Sequence, residues 1–376
     1  MAAAAQVTRK VPPEKPVSSP RHRPVSSSST PASLGYRMPG EFEPHACTWL
    51  SWPGATTRSW ADAGAITTEI AAVASAIRRF EPVRVAVDPE FHAEAIRLLG
   101  HDSEIVEIPA DDIWTRDSGP TFLTGPDGTL AATTWNFNAW GNKFDHHEKD
   151  VLLAQRIASR IDVPSFTASI VAEGGGLHVD GEGTVVATES SILNSNRNPG
   201  VSREEVELAL HGWLGTSKVI WIPGKAHDAI TDGHIDGLMT FVRPGVALFE
   251  LSDDSADPRA RILKEQLRAL QLATDARGRR IEVTVLKSPM EFPVDAPDFC
   301  GLYVNCLILN GAVLIPAFGD RKADAAAIDV FARAFPGRSI VPLRIDAIAS
   351  GGGGIHCITQ QQPMTCPLRD GKGELS

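Results

Sequence analysis

The sequence predicts an α/β fold that is built from a repeated β-β-α-β unit. Four pairs of strand-like runs are joined by short turns near residues 127, 182, 244 and 310, and Asn310-Gly311 is the strongest hairpin signal among them. Each pair is followed by a helical pattern and then by a short apolar run. Because the unit recurs about every 60 residues, roughly five units fit into the chain. We therefore expect one α/β domain whose units surround a central cleft.

The helical patterns and the strands after them were assigned from apolar spacing, with a period near 3.6 for helices and short continuous apolar runs for buried strands. In chain order, each predicted helix with its following strand is 64–80 with 83–88, 147–161 with 164–173, 202–215 with 218–223, 257–273 with 281–286, and 321–337 with 339–345. The hairpins precede the last four of these helices, which completes the repeat.

Composition divides the chain of 376 residues into a central body and two tails. The whole chain is 43% hydrophobic and 22% charged, which is sufficient for a large core. Residues 1–34 are rich in Pro and Ser and carry five Lys or Arg against one Glu, so we expect disorder there, with an organelle transit peptide as the less favoured alternative. Residues 35–366 are predicted to form a single domain, and 367–376 a second disordered tail.

Charge and cysteine content exclude several classes of protein. The net charge of −10 disfavours nucleic-acid binding and suits a small cationic substrate. No run approaches 18 apolar residues, so we expect no membrane span. The five cysteines are odd in number and form no C-x-x-C pair, which argues against a disulfide framework or structural zinc site. We expect a reducing compartment, the cytoplasm.

Polar side chains stand at matching positions in successive units. Asp117, Glu173, His234 and Cys357 are separated by 56, 61 and 123 residues, and each lies within three residues of a glycine in the sequence. Equivalent positions in successive units would converge on one pocket. Each residue alone has an ordinary structural explanation, such as a turn for Asp117, but the pattern as a whole favours a functional site.

The region around Cys357 carries the most unusual composition. Four glycines at 351–354 precede the strand-like segment "IHCIT", although glycine loses the most conformational freedom on folding. This indicates a sharp turn or a close approach of the backbone to a ligand. His234 and Asp236 lie two apart in another strand-like run, so we expect both on one face.

One cysteine, one histidine and three carboxylates suggest chemistry on a guanidinium. Carboxylates match the forked N–H donors of a planar guanidinium, and a thiolate can then attack its central carbon. A cysteine protease would need a Cys-His pair rather than three carboxylates. A metal site stays possible, but no tight ligand motif is present, and we predict none.

Several segments together resemble the agmatine deiminase family. The resemblance spans about residues 36–363, in order, and its segments are "MPGEFEPHACTWLSWP", "WTRDSGP", "WNFNAWGNK", "EGGGLHVDGEGT", "LNSNRNPG", "TDGHIDG", "FVRPG" and "GGGGIHCITQQQP". It implies the pentein fold, a five-fold pseudosymmetric α/β propeller. It also implies hydrolysis of agmatine to N-carbamoylputrescine and ammonia, without metal or organic cofactor.

The resemblance assigns roles to five residues. Cys357 would be the nucleophile and His234 the general acid and base. Asp117 and Asp236 would grip the guanidinium, with Glu173 supporting it from the other side. A homo-oligomer is also implied.

Several residues near these five positions in the sequence are candidates to contact the substrate. Three tryptophans, Trp114, Trp135 and Trp140, are candidates to line the aliphatic part of a substrate. Asp112 is a candidate to meet a distal amine, and Gly354 to let the backbone approach. Arg116 is the nearest cation that could bind the carboxylate of arginine.

The same residues are also compatible with other functions. A deiminase or amidinotransferase of the same fold could act on arginine, peptidyl-arginine or a specialised metabolite, and the small Gly237 would fit a larger substrate. A binding protein without catalysis is disfavoured, because the set of Cys, His, two Asp and Glu is complete.

Overall fold

The computed structural model describes residues 29–100, 102–224, 230–254, 259–292 and 298–365. Within these ranges the chain forms sixteen strands and eleven α-helices, which confirms the α/β class. The strands are β1 His45–Ser51, β2 Val83–Val87, β3 Glu104–Glu107, β4 Thr121–Thr124, β5 Leu130–Thr134, β6 Ser165–Thr167, β7 His178–Val179, β8 Thr184–Thr188, β9 Lys218–Ile222, β10 Met239–Arg243, β11 Val246–Leu251, β12 Glu282–Lys287, β13 Leu307–Leu309, β14 Ala312–Ala317, β15 Ser339–Arg344 and β16 Thr359–Pro363.

The helices alternate with these strands. They are α1 Thr57–Trp60, α2 Ala63–Ile77, α3 His92–Leu99, α4 Thr115–Ser118, α5 Ala139–Asn142, α6 Leu153–Arg160, α7 Glu189–Ile192, α8 Arg203–Leu214, α9 Ala260–Leu272, α10 Arg321–Ala334 and α11 Asp346–Ser350. Short 3-10 helices cover Ala32–Leu34, Pro89–Phe91, Asp150–Leu152, Gly174–Gly176 and Ile235–Gly237.

Four three-stranded sheets share one topology. In each, two strands form an antiparallel hairpin, and a third strand pairs in parallel with the second strand of the hairpin. The sheets are β4-β5-β6, β7-β8-β9, β10-β11-β12 and β13-β14-β15. The helices α6, α8, α9 and α10 lie between the second and third strands, so the β-β-α-β unit expected from the sequence is present in all four.

The fifth sheet joins the two ends of the described chain. Its order is β16-β1-β2-β3, and the last strand, β16, runs antiparallel to the first, β1, with Leu50 opposite Thr359. This pairing supplies the hairpin that the first unit lacks in sequence. It also brings Cys357, two residues before β16, to the same part of the molecule as the N-terminal half.

Helix α8 shows how the sequence sets an element and its buried face. Ser202 accepts a hydrogen bond from the Glu205 backbone, and the Glu205 side chain accepts in return from the Ser202 N–H, a complete capping box. Three apolar residues spaced by four, Val206, Leu210 and Leu214, are fully buried. Gly215 ends the helix in the left-handed conformation that glycine adopts without steric cost.

Three local predictions differ from the structure. The segment "IHCIT" is a turn over residues 355–358, and the strand begins only at Thr359. The run containing His234 and Asp236 is a 3-10 turn at 235–237 rather than a strand, because β10 starts at Met239. The strand predicted over 164–173 covers only Ser165–Thr167.

The predicted tails fall mostly outside the described residues. Residues 1–28 and 366–376 are among those not described, and residues 29–34 at the end of the predicted N-terminal tail contain the 3-10 helix Ala32–Leu34. No helix in the described part of the chain combines the length and apolar character that a membrane span needs.

Candidate active site

A cleft of about 620 Å³ opens in front of Cys357. Its wall is mostly apolar and includes the aromatic residues Trp60, Trp114, Phe137, Trp140 and Phe144, whereas Trp135 does not line it. Five aspartates also line it, Asp112, Asp117, Asp145, Asp150 and Asp298, whereas none of the described lining residues is Lys or Arg. The cleft therefore favours a ligand that combines an apolar stem with positive charge.

The glycine run shapes the turn that presents Cys357. A side chain at Gly353 would come within 2.3 Å of the Trp114 ring, and one at Gly354 within 2.5 Å of Asn305 Oδ1. Gly352 has φ of +89°, a conformation that glycine adopts readily. Gly351, Gly352 and Gly353 line the cleft, whereas Gly354 packs behind them against Asn305. Close packing thus explains the composition of this segment.

The contact at Gly354 leads to a first prediction. Gly354→Ala should lower turnover about 100-fold, because the new methyl group displaces Asn305 and thereby the thiol that it contacts. Gly64→Ala is the matched control, since Gly64 is exposed on α2 and its nearest atom would lie 3.4 Å from the methyl group. Steady-state kinetics of both variants checks this expectation, and unchanged turnover in Gly354→Ala would contradict it.

Asn305 contacts the nucleophile candidate, and the sequence did not reveal it. Its side-chain Nδ2 donates to Cys357 Sγ at 3.1 Å, and its Oδ1 accepts from the Cys357 backbone N–H at 3.3 Å. Asn305 is buried, with 1% of its surface exposed. An N–H donor directed at sulfur favours the thiolate over the thiol. A lone asparagine in a loop before β13 carries no recognisable motif, so no sequence signal could have found it.

Cys357 itself is partly exposed on the cleft side and touches a carboxylate. Its Sγ donates to Asp236 Oδ2 at 3.4 Å. Burial, Asp236 and Asp117 hold the pKa of the Cys357 thiol well above its ordinary value. The thiol is therefore protonated in the free protein, and a cation bound beside it would favour its ionisation.

Three functional groups converge on one point beside Gly175. A Cβ atom at Gly175 would lie 2.7 Å from His234 Nδ1, 2.8 Å from Asp117 Oδ1 and 2.9 Å from Asp236 Oδ2. The backbone N–H of Gly175 donates to Asp117 Oδ1 at 2.8 Å. The expectation that His234 and Asp236 approach the same site agrees with this arrangement, although a 3-10 turn rather than a strand places them.

His234 lies between two carboxylates. Its Nε2 is 3.4 Å from Glu173 Oε2, and its Nδ1 is 3.8 Å from Asp117 Oδ2. Burial lowers the pKa of His234, but Asp117 and Glu173 outweigh burial and raise that pKa to about 9. His234 is thus an imidazolium at neutral pH, and its buried Nδ1 has no hydrogen-bond partner among the described residues. Among the predicted catalytic residues, Asp117 and Cys357 line the cleft, whereas Glu173, His234 and Asp236 do not and instead lie beside those two or one another.

Glu173 is held from behind by a buried arginine. Arg197 Nε donates to Glu173 Oε1 at 2.8 Å, and Arg197 Nη1 forms a short ion pair with Asp232. Burial opposes the charge of Glu173, but His234 and Arg197 lower the pKa of that carboxyl below its ordinary value. Glu173 is therefore an ionised, fully buried carboxylate that faces His234.

Trp140 stands on an unusual backbone. Residues 139–142 all have positive φ, at 51°, 54°, 89° and 58°, so α5 is a left-handed turn. Such backbone is strained for residues other than glycine and persists where surrounding contacts hold it. Trp140 Nε1 donates to Asp117 Oδ2 at 2.8 Å, and Asn138 Oδ1 accepts from Gly141 N at 2.9 Å. The turn therefore fixes Asp117 as well as lining the cleft.

Two further candidates have internal partners. Asp112 accepts from Thr57 Oγ1 at 2.7 Å and from Trp60 Nε1 at 3.1 Å, and burial raises its pKa to about 6. The Trp114 ring stacks on Trp60 at 5.9 Å. Both residues line the cleft, and both also hold its wall together.

Arg116 lies outside the cleft. Its side chain is 1% exposed, and its Nη1 lies 3.3 Å from Glu41 Oε1. It is thus not placed to bind the carboxylate of a ligand in the cleft.

One buried group has side chains of metal-binding type. Potential ligand atoms of Glu41, His178 and His356 all lie within 4.8 Å of one another. Hydrogen bonds already engage His356 through both nitrogens and Glu41 through Arg116.

The remaining thiols do not form cross-links. Cys47, Cys300, Cys306 and Cys357, the four cysteines within the described ranges, form no disulfide bond, and Cys366 lies outside those ranges. Burial raises the pKa of Cys47 to about 12 and that of Cys306 well above its ordinary value, so both are inert packing residues.

Comparison with known proteins gives consistent matches over most of the chain. Residues 37–363 match the family model of Porphyromonas-type peptidyl-arginine deiminase. A Streptomyces avermitilis protein, provisionally named agmatine deiminase, is 43% identical over 89% of this chain and 99% of its own length. The agmatine deiminase of Stutzerimonas stutzeri is 39% identical over 89% of this chain and 98% of its own length.

A solved structure agrees with the sequence matches. The agmatine deiminase of Enterococcus faecalis, described as catalysing its reaction, superposes with a TM-score of 0.85 at 33% identity. The match covers 90% of this chain and 98% of that protein.

Proposed function

The chain belongs to the Porphyromonas-type peptidyl-arginine deiminase family, and from this premise we propose that it hydrolyses agmatine to N-carbamoylputrescine and ammonia. The observation that carries the proposal is the convergence of Asp117, His234 and Asp236 on one point next to Cys357. Carboxylates at that point accept the N–H donors of a guanidinium, and the thiol lies within reach of its central carbon.

A bound guanidinium adds a positive charge where three carboxylates, Asp117, Glu173 and Asp236, surround the imidazolium of His234. Asp117 and Asp236 grip this guanidinium, and Glu173 supports the site through His234. Because burial and the neighbouring carboxylates keep Cys357 protonated, the bound cation favours loss of the thiol proton. The thiol proton is released to solvent as the substrate binds, so thiolate forms where substrate is present.

The reaction then proceeds in two halves. The Cys357 thiolate attacks the guanidinium carbon, and a C–S bond forms. His234 donates its proton to the departing nitrogen, ammonia leaves as the C–N bond breaks, and an S-alkylthiouronium stays on sulfur. Neutral His234 next takes a proton from water while the oxygen adds to that carbon. The C–S bond then breaks, the departing sulfur of Cys357 takes the hydroxyl proton and becomes a thiol again, and the ureido product is released.

The cleft favours agmatine over arginine. The aromatic side chains, Trp114 and Trp140 among them, suit a chain of methylene groups, and Asp112 lies at the wall for a distal ammonium. Arginine would bring a carboxylate into a cleft whose described lining holds five aspartates and no Lys or Arg. Arg116, the cation considered for that role, is buried against Glu41.

The proposal also covers the fold, the cellular location and the oligomeric state of the protein. The five sheets surround the cleft as a five-fold propeller within one catalytic domain, residues 35–366, and the pairing of β16 with β1 supports closure of that ring. The unbridged cysteines support a cytoplasmic location. A homo-oligomeric state follows from the family resemblance. No metal or organic cofactor enters the proposed steps.

Ammonia release from the purified protein tests this function. Agmatine, arginine and a blocked arginine peptide are compared in parallel, with Cys357→Ala as the control. Release from agmatine alone, lost in the variant, is the expected result. Release mainly from arginine or from the peptide would assign a different substrate, and release from none of the three would overturn the proposal.

A further inference from the structure

A chain of four buried charged groups runs behind Cys357. His356 Nδ1 lies 2.9 Å from Asp236 Oδ2, and His356 Nε2 lies 2.9 Å and 3.1 Å from the two oxygens of Glu41. Arg116 Nη1 follows at 3.3 Å from Glu41 Oε1. All four side chains are at most 4% exposed. The order is carboxylate, imidazole, carboxylate and guanidinium, so neighbouring groups can carry opposite charges throughout.

The geometry determines the protonation of His356. An ionised carboxylate only accepts hydrogen bonds, and His356 has one at each nitrogen. If Asp236 and Glu41 are both ionised, each contact is a hydrogen bond only when the His356 nitrogen carries a hydrogen. His356 is then protonated at both nitrogens, which makes it an imidazolium. Burial and Arg116 lower the pKa of His356, but Glu41 and Asp236 outweigh them and raise it, which agrees with the geometry.

We infer that His356 is a positioning residue, held as an imidazolium between Glu41 and Asp236, that fixes Asp236 Oδ2 beside the Cys357 thiol as a permanently ionised acceptor. The inference rests on the proposed function for its kinetic consequence only. Because the His356 N–H already donates to the same oxygen, a proton passed from the thiol to Asp236 could not move on to His356. Asp236 is then a fixed anion and not the general base, and the proton for the departing nitrogen comes from His234.

The surroundings of His356 and Asp236 support this assignment. His356 is faced by Asp236, Glu41, Arg116 and the parallel ring of His178 at 5.8 Å. Burial lowers the pKa of His178 to about 4, so His178 is neutral and adds no charge. Asp236 is faced by His356, His234 and Cys357, and although burial opposes its charge, His356 lowers its pKa.

The backbone ties the same chain to the nucleophile. Arg116 Nε donates to the His356 carbonyl at 3.3 Å, and Arg116 N donates to the Cys357 carbonyl at 3.0 Å. His356 N donates to the Asn305 carbonyl at 3.2 Å. Arg116 therefore holds both Glu41 and the turn that carries Cys357. Its cation next to Glu41 also disfavours a metal ion bound by Glu41, His178 and His356.

The test compares His356→Asn with His178→Phe. Asparagine at position 356 keeps an N–H donor toward Asp236 but carries no positive charge. His178→Phe replaces the ring that stacks on His356 and leaves all four charged groups of the chain in place. The rate at which iodoacetamide alkylates Cys357 at a fixed, mildly alkaline pH reports the fraction of thiolate without any substrate. The extent of alkylation is measured from the mass of the peptide that contains Cys357. We expect alkylation to be about 10-fold slower in His356→Asn, because the compensating cation is lost. Wild-type rates are expected in His178→Phe.

Kinetics and spectroscopy complete the test. With agmatine, kcat/KM should fall about 10- to 100-fold in His356→Asn and stay unchanged in His178→Phe. Nitrogen NMR of the unmodified protein should show both His356 nitrogens protonated at neutral pH and His178 neutral, which needs no variant to fold.

Three results would overturn the inference: a neutral His356, equal effects in both variants, or a stoichiometric metal ion in the purified protein. If alkylation behaves as expected while no guanidine is hydrolysed, the proposed function alone fails.

Discussion

Cys357→Ala is expected to lower agmatine hydrolysis by at least about 10⁴-fold, the largest loss among the changes considered. The thiolate forms the only covalent bond to substrate in the proposed reaction, and no other described thiol lines the cleft. Alanine removes the sulfur without adding bulk, so we expect the fold and the binding of the guanidinium by Asp117 and Asp236 to be preserved. Turnover is measured by ammonia release, and substrate binding by calorimetry.

The binding measurement separates loss of chemistry from loss of structure. The variant should still bind agmatine, since Asp117 and Asp236 remain. In the wild-type protein, acid quench during turnover should reveal a mass increase confined to the peptide that contains Cys357. Residual turnover close to that of the wild type, or a covalent adduct on another residue, would refute the role of Cys357.

His234→Gln should lower kcat by about 10²- to 10⁴-fold, with a smaller effect on KM. Glutamine preserves a polar group of similar length but cannot deliver a proton to the departing nitrogen. The same variant should fail to activate water in the second half, so any covalent intermediate that forms is hydrolysed slowly and persists. Single-turnover kinetics distinguishes the two halves, and a variant slowed only in binding would contradict the assignment.

The charge state of His234 can be measured directly. In the free protein it should titrate near pH 9 by NMR rather than near the ordinary value, because Asp117 and Glu173 stabilise the imidazolium against burial. In Glu173→Gln one of these anions is lost, so the titration should move to lower pH. Glu189→Gln, at an exposed ion pair, is the control. A His234 that titrates near 6.5 in the wild-type protein would remove the basis for general acid catalysis at neutral pH.

Much of the candidate site could be read from the sequence because the repeat places it. Residues at matching positions in successive β-β-α-β units lie together when the units pack around one cleft. Asp117, Glu173, His234 and Cys357 were selected in this way, and the structure brings them together with Asp236. Their catalytic roles stay predictions until the variants are measured.

Contacts made across distant parts of the chain left no signal in the sequence. Asn305 and Glu41 reach the residues beside Cys357 from 52 and more than 300 residues away. Asn305 lies in none of the segments that carry the family resemblance, and Glu41 lies in one, "MPGEFEPHACTWLSWP", which does not indicate the residues that it contacts. The left-handed turn at 139–142 was missed for a different reason. Only Gly141 and Asn142 there favour positive φ, whereas Ala139 and Trp140 adopt it under tertiary constraint.

The α/β class, the repeat and the chemical type of the site follow from local patterns, since apolar periodicity, turn residues and side-chain functional groups are properties of short segments. The tertiary structure alone decided that β16 completes the first sheet, that "IHCIT" is a turn, and that His356 lies between two carboxylates. Those features depend on which distant segments meet. Burial and partner distance, rather than residue type, then set the charge that each group carries in the site.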